Sequence, residues 1–472
     1  MNQNQVRCPG PVSRRNFLQA GSLGLGGLGL ADLLKLRAEA LPSRSETDKS
    51  IIFVWLPGGP PHMETYDMKP DAPSDYRGDF RPIHSNVGGV DVCELLPMHA
   101  RIADKFNLIR SVAHTFADHG GGHKRFLTGR KPATPTGTEN DAPMVGSIVS
   151  KVLQGRTNSN GMSNYVVTGN GRVNSVDTFA FGSAYLGAET HPFTVSSDPN
   201  EDKFKVRNLT LAGGLNESRL NSRMQLLSGL DKLRQDIDVS GLMDATDVFN
   251  QRALSMITSS AARKAFDLSN ESSEIRERYG RHEWGQRALM ARRLVEAGVN
   301  WVTVVMENPY VSGISMPKYG TYNWDSHAVN CHLYDDARMR LPIYDRTITA
   351  LIEDIHNRGL EKKVMLVVTG EFGRTPRVNS QNGSQTGIKQ PGRDHWPRAM
   401  SFLVSGGGMQ TGQVIGQTNS KGEEPKSRPL TPNDLWATVY RHLGIDYTQT
   451  FADHSGRPMH ILPFGEPIEE LL

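Results

Sequence analysis

Continuous or nearly continuous apolar runs, separated by stretches of helical spacing, set the pattern of this chain. Ile51 to Leu56 is wholly apolar, as expected of a strand buried on both faces of a parallel sheet. Lys363 to Thr369 repeats the pattern, and Asn107 to Val112, Asn164 to Thr168, Val299 to Met306 and Ala399 to Val404 read as further strands. Residues 95–109 read as a helix running into the 107–112 strand. Ser218 to Asp236 and Glu271 to Ala297 carry apolar residues at helical spacing amid dense charge, which predicts solvated faces packed on a sheet. Asp345 to Gly359 is expected to be a helix closed by its glycine, and Thr431 to Gly444 one with a capped start. The polar, glycine-rich stretch 379–392 reads as a disordered loop suited to a lid. Strands alternating with helices predict a doubly wound α/β fold, its central sheet mainly parallel with helices on both faces.

The first forty residues follow a different logic. Ser13-Arg14-Arg15-Asn16-Phe17-Leu18 precedes a weakly apolar run from Ala20 to Leu34 and an Ala38-Glu39-Ala40 cleavage site. This is the order of a twin-arginine export signal over 1–40, implying a periplasmic or extracellular protein. Gly24-Leu25-Gly26-Gly27-Leu28-Gly29 matches a dinucleotide fingerprint, but no strand precedes it and cleavage removes it. Residues 41–50 read as a linker and 51–472 as one domain with a helical insertion at about 215–297. No apolar run after the leader is long enough to span a bilayer.

The chain has 53 Lys and Arg against 50 Asp and Glu, and cleavage after Ala40 leaves 48 of each. Near-neutral charge gives no reason to expect nucleic acid or an anionic membrane as partner. Cys93 and Cys331, the two cysteines beyond the leader, pair in an oxidising compartment or stay buried and free.

Residues rich in chemistry stand just after the apolar runs, where open α/β sheets collect ligands. The segment Ala117 to Arg130 holds Asp118, His119, the glycine run 120–122, His123 and three cations. Imidazole and carboxylate bind divalent ions, and bare backbone lets a charged group approach. Asn323-Trp324-Asp325-Ser326-His327 offers an Asp-x-His pair, Thr369 to Pro376 places Glu371 and Arg374 on a glycine-rich turn, and Gly392 to Pro397 holds Asp394 and His395. Asp325, His327, Glu371, Asp394 and His395 are candidate ligands for zinc, calcium or manganese. Asp118, His119 and His123 are candidate catalytic groups, with His119 a nucleophile, ligand or general acid. Arg130 and Arg374 are candidate clamps for an anionic ester substrate, because guanidinium grips phosphate or sulfate oxygens. His282 and Glu283 lie mid-helix without a partner histidine four residues on, so no zinc-protease helix is expected and both read as surface residues.

Several of these motifs resemble a known superfamily. Leu127-Thr128-Gly129-Arg130 is similar to the end of the sulfatase active-site motif, and Val367 to Glu371 resembles the strand that ends in an acidic metal ligand in alkaline phosphatases and sulfatases. Asn433-Asp434-Leu435 through Asp446 looks like that superfamily's late helix. Together with Gly-Glu-Phe-Gly-Arg-Thr-Pro at 370–376 and Gly-x-Asp-His-Trp at 392–396, the chain resembles the exported family known as domain of unknown function 1501. The resemblance implies an alkaline phosphatase-like fold and a metal-dependent hydrolase of phosphate or sulfate esters, including esters on polysaccharide-derived substrates. The alternative is a non-catalytic protein that binds sulfated or phosphorylated glycans. The departures are specific. His119 stands where a sulfatase has its formylglycine precursor and His123 where it has an arginine. Strand one ends without its acidic ligand, leaving His62, Glu64 or Asp67 to substitute, and Glu371-Phe372 replaces an expected Asp-His pair.

Overall fold

The computed structural model of the chain describes residues 48–134, 136, 140–154, 162–169, 172–173, 176–177, 181–206 and 259–472. The expected leader, residues 41–47 of the linker, the 218–236 helix and the 215–258 part of the insertion lie outside the described residues.

Among the described residues, eight strands form one sheet: β1 (Ser50–Trp55), β2 (Phe106–Val112), β3 (Tyr165–Thr168), β4 (Phe193–Val195), β5 (Trp301–Val305), β6 (Val364–Thr369), β7 (Met400–Gly406) and β8 (Gln413–Ile415). Their order is β8-β2-β7-β6-β1-β5-β3-β4. Neighbours pair in parallel except β7, which runs antiparallel to both β6 and β2. The fold is therefore doubly wound with a mainly parallel sheet.

The unbroken apolar runs have a simple cause, because each face of the sheet carries its own core. Side chains alternate across a strand, so Ile51, Phe53 and Trp55 enter one core while Ile52 and Val54 enter the other. The first core is closed by α1 (His119–Thr128) and α5 (Pro432–His442) through Phe126, Leu127, Leu435 and Trp436. The second is closed by α3 (Glu283–Glu296) and α4 (Leu333–Asn357) through Trp284, Leu289, Tyr344 and Ile348. At α5 the expected start is present as a reciprocal capping box between Thr431 and Asp434.

Five sequence expectations need correction. The charged stretch 271–297 is two helices, α2 (Ser273–Tyr279) and α3, broken at Gly280, whose φ of +100° favours glycine. His282 is not mid-helix: its ring accepts the Gly285 N–H and caps α3. Glu283, Arg287 and Arg292 are buried, not solvated, because each charge meets a partner inside. Glu283 pairs with Arg287, while Arg292 pairs with Glu271, Glu296 and Asp354. The helix expected at 345–359 begins twelve residues earlier, capped by His332 and carrying Pro342 within it. The expected lid at 379–392 is an antiparallel hairpin, Asn379–Asn382 with Lys389–Gly392. Cys93 and Cys331 are both buried and free.

Removing one member of a buried ion pair strands the other. Glu283→Ala should therefore lower unfolding free energy by about 3 kcal/mol in urea titrations. A loss below about 0.5 kcal/mol would return Glu283 to the surface class.

Candidate metal centre

The expected residues gather at one edge of the sheet for a topological reason. Parallel strands deliver their C-terminal ends there: β1 leads to Gly58, β2 to α1, β5 to the 306–332 loop and β6 to Glu371. Antiparallel β7 presents its N-terminal end to the same edge, which brings in His395. Gly373-Arg374 pairs with His395-Trp396 as a two-residue ladder, setting Arg374 opposite His395.

Arg374 is fully buried. Its guanidinium donates to the carbonyls of Gly58, Gly59 (2.9 Å) and Arg393 (3.2 Å) and to Asp325 Oδ1 (2.6 Å). It is thus a cross-link that orients Asp325, not the free anion clamp its motif suggested. Arg130 follows the far end of α1, about 15 Å from His119 by helical rise, and donates to the His460 carbonyl. Arg374 is not free to grip a substrate, and Arg130 lies away from the centre. Asp118 is the N-cap of α1, its Oδ1 accepting the Gly120 and Gly121 N–H groups. It serves the helix and does not enter the centre. His62, Glu64 and Asp67 are likewise bound elsewhere, to the Gly422 carbonyl, to Arg393, and to Lys69 and Thr418 respectively.

Asp325 is the focus of what remains. Oδ2 accepts the Asn330 amide at 2.9 Å and lies 3.5 Å from His119 Nε2, while Oδ1 lies 3.2 Å from both His327 Nε2 and His395 Nε2. Each of these imidazoles has its other nitrogen on an acceptor. His327 Nδ1 faces Asp394 at 2.8 Å, His395 Nδ1 the Ala117 carbonyl at 2.6 Å, and His119 Nδ1 Glu371 Oε1 at 2.8 Å. Acceptors of this kind require the proton on Nδ1. Three Nε2 atoms therefore turn lone pairs, or extra protons, toward one carboxylate. Two groups have metal-ligand spacing among the described residues, His119 with His123 and Glu371, and His119 with Asp325 and His395. His327 and Asp394 fall outside both, and Asp394 serves instead to orient His327.

The electrostatics follow from burial and neighbours. Burial opposes charge on Asp325, but Arg374 first, then His119 and His395, hold its carboxyl well below the usual range. Burial likewise pushes the Glu371 carboxyl up, yet His123 and the hydrogen-bonded His119 outweigh it and hold it at about 2. Burial lowers His123 to about 4 and also lowers His395 and His327. His119 is the exception. Burial is overcome there by Asp325 and Glu371, which raise it to about 9. Without an ion, a proton on His119 occupies the place of a cation.

Two glycines are needed for close approach. Gly58, with φ +106°, donates its N–H to both Glu371 oxygens, and a Cβ on it would lie 2.5 Å from the Asp325 nitrogen. At Gly122 a Cβ would meet the Phe372 ring at 2.9 Å. Phe372 in turn lies against His119 and His395, with ring centroids 5.3 and 4.5 Å away. Beside the centre an open cavity of about 430 Å³ is lined by Tyr76, Arg377, Asn379, Asp394, Trp396 and Glu423. Arg377, which the sequence reading passed over, supplies the guanidinium of that cavity. Its position three residues beyond Arg374 gave no signal of this.

Gly58→Ala should cost about 2 kcal/mol or more, since both φ and the Asp325 backbone resist a side chain; urea unfolding measures it, and a neutral variant would contradict the close packing. For pH the sign is set by His119. A histidine raised from 6.5 to about 9 contributes stability that is complete below 6.5 and lost as pH rises through about 9. With divalent ions chelated, the melting temperature should fall over that interval, and fall less in His119→Gln. Equal falls in both proteins would remove His119 as the cause.

No curated protein matches the chain. Several solved structures do, at low identity. The lipoteichoic acid synthase LtaP from Listeria monocytogenes is 10% identical, with 86% of this chain and 74% of that one covered and a TM-score of 0.35. The PsFucS1 sulfatase from Pseudoalteromonas sp. is 11% identical over 86% and 72%, TM-score 0.34. The phosphonate monoester hydrolase SpPMH from Silicibacter pomeroyi is 12% identical over 89% and 76%, TM-score 0.35. Scores of this size decide nothing about the chemistry of the chain. The model of the family described as "Protein of unknown function (DUF1501)" matches residues 48–472. The chain belongs to the DUF1501 family.

Proposed function

We propose that this chain is an exported, metal-dependent hydrolase of phosphate or sulfate esters, including esters on polysaccharide-derived substrates. The observation that carries the reading is the convergence of three histidine Nε2 atoms on the Asp325 carboxylate, each with its Nδ1 spent on a protein acceptor. Metal-binding histidines characteristically have their second nitrogen fixed in this way. The donor set fits an ion, since buried His119 Nε2 and both nitrogens of His123 have no hydrogen-bond partner. When bound, a divalent ion would supply Lewis-acid polarisation of the ester and a more acidic water. His119, Asp325, His395 and Glu371 are the residues to hold or orient it. His327, steered by Asp394, can take or return a proton at Nε2, and Phe372 shields one side of the imidazoles from water. Arg377 is the cation placed to meet an anionic group in the adjoining cavity. Export rests on the 1–40 signal; among the described residues no helix is long and apolar enough to cross a membrane.

One observation favours a second reading. No Ser, Thr or Cys stands at the start of α1, Arg374 is spent internally, and Arg130 lies away from the centre. A glycan-binding protein that does not cleave its ligand would tolerate both losses.

The leader-cleaved protein, stripped and reloaded separately with zinc, manganese and calcium, should turn over p-nitrophenyl phosphate, bis-p-nitrophenyl phosphate or p-nitrophenyl sulfate. Chelation and His395→Ala should each remove that activity by at least a hundredfold, about 2.7 kcal/mol of barrier. Activity indifferent to chelator would sink the metal mechanism. No turnover, with retention on a sulfated-polysaccharide gel in affinity electrophoresis, would put the binding protein in its place.

A further inference from the structure

We infer that the centre takes one ion only, of the zinc or iron(II) class, bound by His119 Nε2, Asp325 and His395 Nε2, and that Glu371 is the positioning partner of His119 and not a ligand. The inference deepens the metal-dependent reading above and rests on it.

The argument is an account of where protons can sit. The Ala117 carbonyl can only accept, so His395 Nδ1 carries the proton and Nε2 is the atom left for another use. Glu371 makes the same demand of His119. Its carboxylate is pinned by the Gly58 N–H at 2.9 and 3.2 Å and receives His119 Nδ1 at 2.8 Å, a hydrogen-bond length. A nitrogen that donates a proton has no lone pair for a metal, so the His119–His123–Glu371 group does not hold an ion while this bond stands. The other group has different spacing. Ligand atoms around a tetrahedral zinc lie about 3.3 Å apart, from bonds of about 2.0–2.1 Å. His119 Nε2 and His395 Nε2 lie 3.5 and 3.2 Å from the Asp325 oxygens.

Arg374 holds Asp325 at 2.6 Å, so the carboxylate is already oriented toward the facing Nε2 atoms. Two imidazoles and one carboxylate select the metal. Calcium takes six to eight oxygens, whereas two histidines with a carboxylate suit zinc or iron(II) and leave a coordination place open. His327 Nε2 lies 3.2 Å from Asp325 Oδ1, its Nδ1 held by Asp394.

His123, buried with both nitrogens unpaired, is the residue a second ion would recruit, and so it is the control. The full leader-cleaved protein is stripped, reloaded with zinc alone and analysed for bound metal, with circular dichroism to confirm that each variant folds. One equivalent is expected in the parent and in His123→Ala. None is expected in His395→Ala or His119→Ala. Glu371→Gln should keep one equivalent with affinity 10–100-fold weaker, because its amide oxygen still accepts from Nδ1. Cobalt(II)-loaded parent, which needs no variant, should give the intense visible bands of four or five coordination, and excess calcium should not displace zinc. Two equivalents falling to one in His123→Ala, retention in folded His395→Ala, loss in folded Glu371→Gln, a weak octahedral cobalt spectrum, or displacement by calcium would each overturn the inference. One bound zinc without ester turnover would instead defeat the hydrolase reading alone.

Discussion

The buried guanidinium of Arg374 ties the centre together. It reaches the carbonyls of Gly58 and Gly59 after β1, the carbonyl of Arg393 before β7, and the Asp325 carboxylate in the loop after β5. Arginine is the side chain whose planar fork of five donors can serve several acceptors at once while staying charged. A lysine in that place would leave carbonyls unpaired in a dry interior, at a cost of about 1–3 kcal/mol each. The arrangement also sets the electrostatics of everything nearby. With Asp325 held as an anion by Arg374, the imidazoles around it respond to a fixed negative charge whose counter-charge is already on one side.

Among the described residues, β7, the antiparallel strand of the eight-stranded sheet, has a matching role. An all-parallel sheet would offer the centre only residues that follow strands. Because β7 runs the other way, its leading residues arrive at the same edge, and His395 meets His119 and His327 with ring centroids 4.2 and 4.5 Å apart. The hairpin at 379–392 precedes this entry and fixes Asp394 through Asn379 at 2.6 Å. Loop and strand together place one histidine as a candidate ligand and the preceding aspartate as the partner of another.

Much of this was open to reading before any coordinates. The strands β1 and β6 are legible because burial on both faces demands unbroken apolar residues. The positions of His119, Asp325, Glu371 and His395 are legible because they lie in the segments that follow or precede such strands. Their roles were not. Arg374 on a glycine-rich turn looks like an anion clamp until the carbonyls 315 and 316 residues away are known to occupy it. Asp394 and His395 are adjacent in sequence yet face different partners, His327 for the one and Asp325 for the other, which composition does not report. Two local signals in the sequence point to the helix itself. Asp118 before a glycine run at a helix start is an N-cap signature, and Gly129, with φ +67°, marks a helix end. Both argue that the flanking Asp118 and Arg130 serve α1 before they serve any substrate. The charged helix α3 misled for the opposite reason, since its acids and bases are paired inside the fold, where periodicity alone assigns them to solvent.

The same accounting bears on substrate charge. A site for an anionic ester needs positive potential where the ester sits, and in this centre the buried arginine has been spent on orientation. Lys124, also on α1, turns its ammonium to Thr134 and the Thr136 carbonyl. What faces the open cavity is Arg377, itself paired with Asp75 at 2.9 Å near the surface, together with the carboxylates of Asp394 and Glu423. The exposed pair is weak in water, so an arriving anion can displace Asp75 at little cost. A bound divalent ion would then provide the strong positive charge at the reacting group and Arg377 a weaker one at its periphery. Under the proposed function, that division would put ester chemistry at Asp325 and recognition of the rest of the substrate in the cavity beyond Asp394.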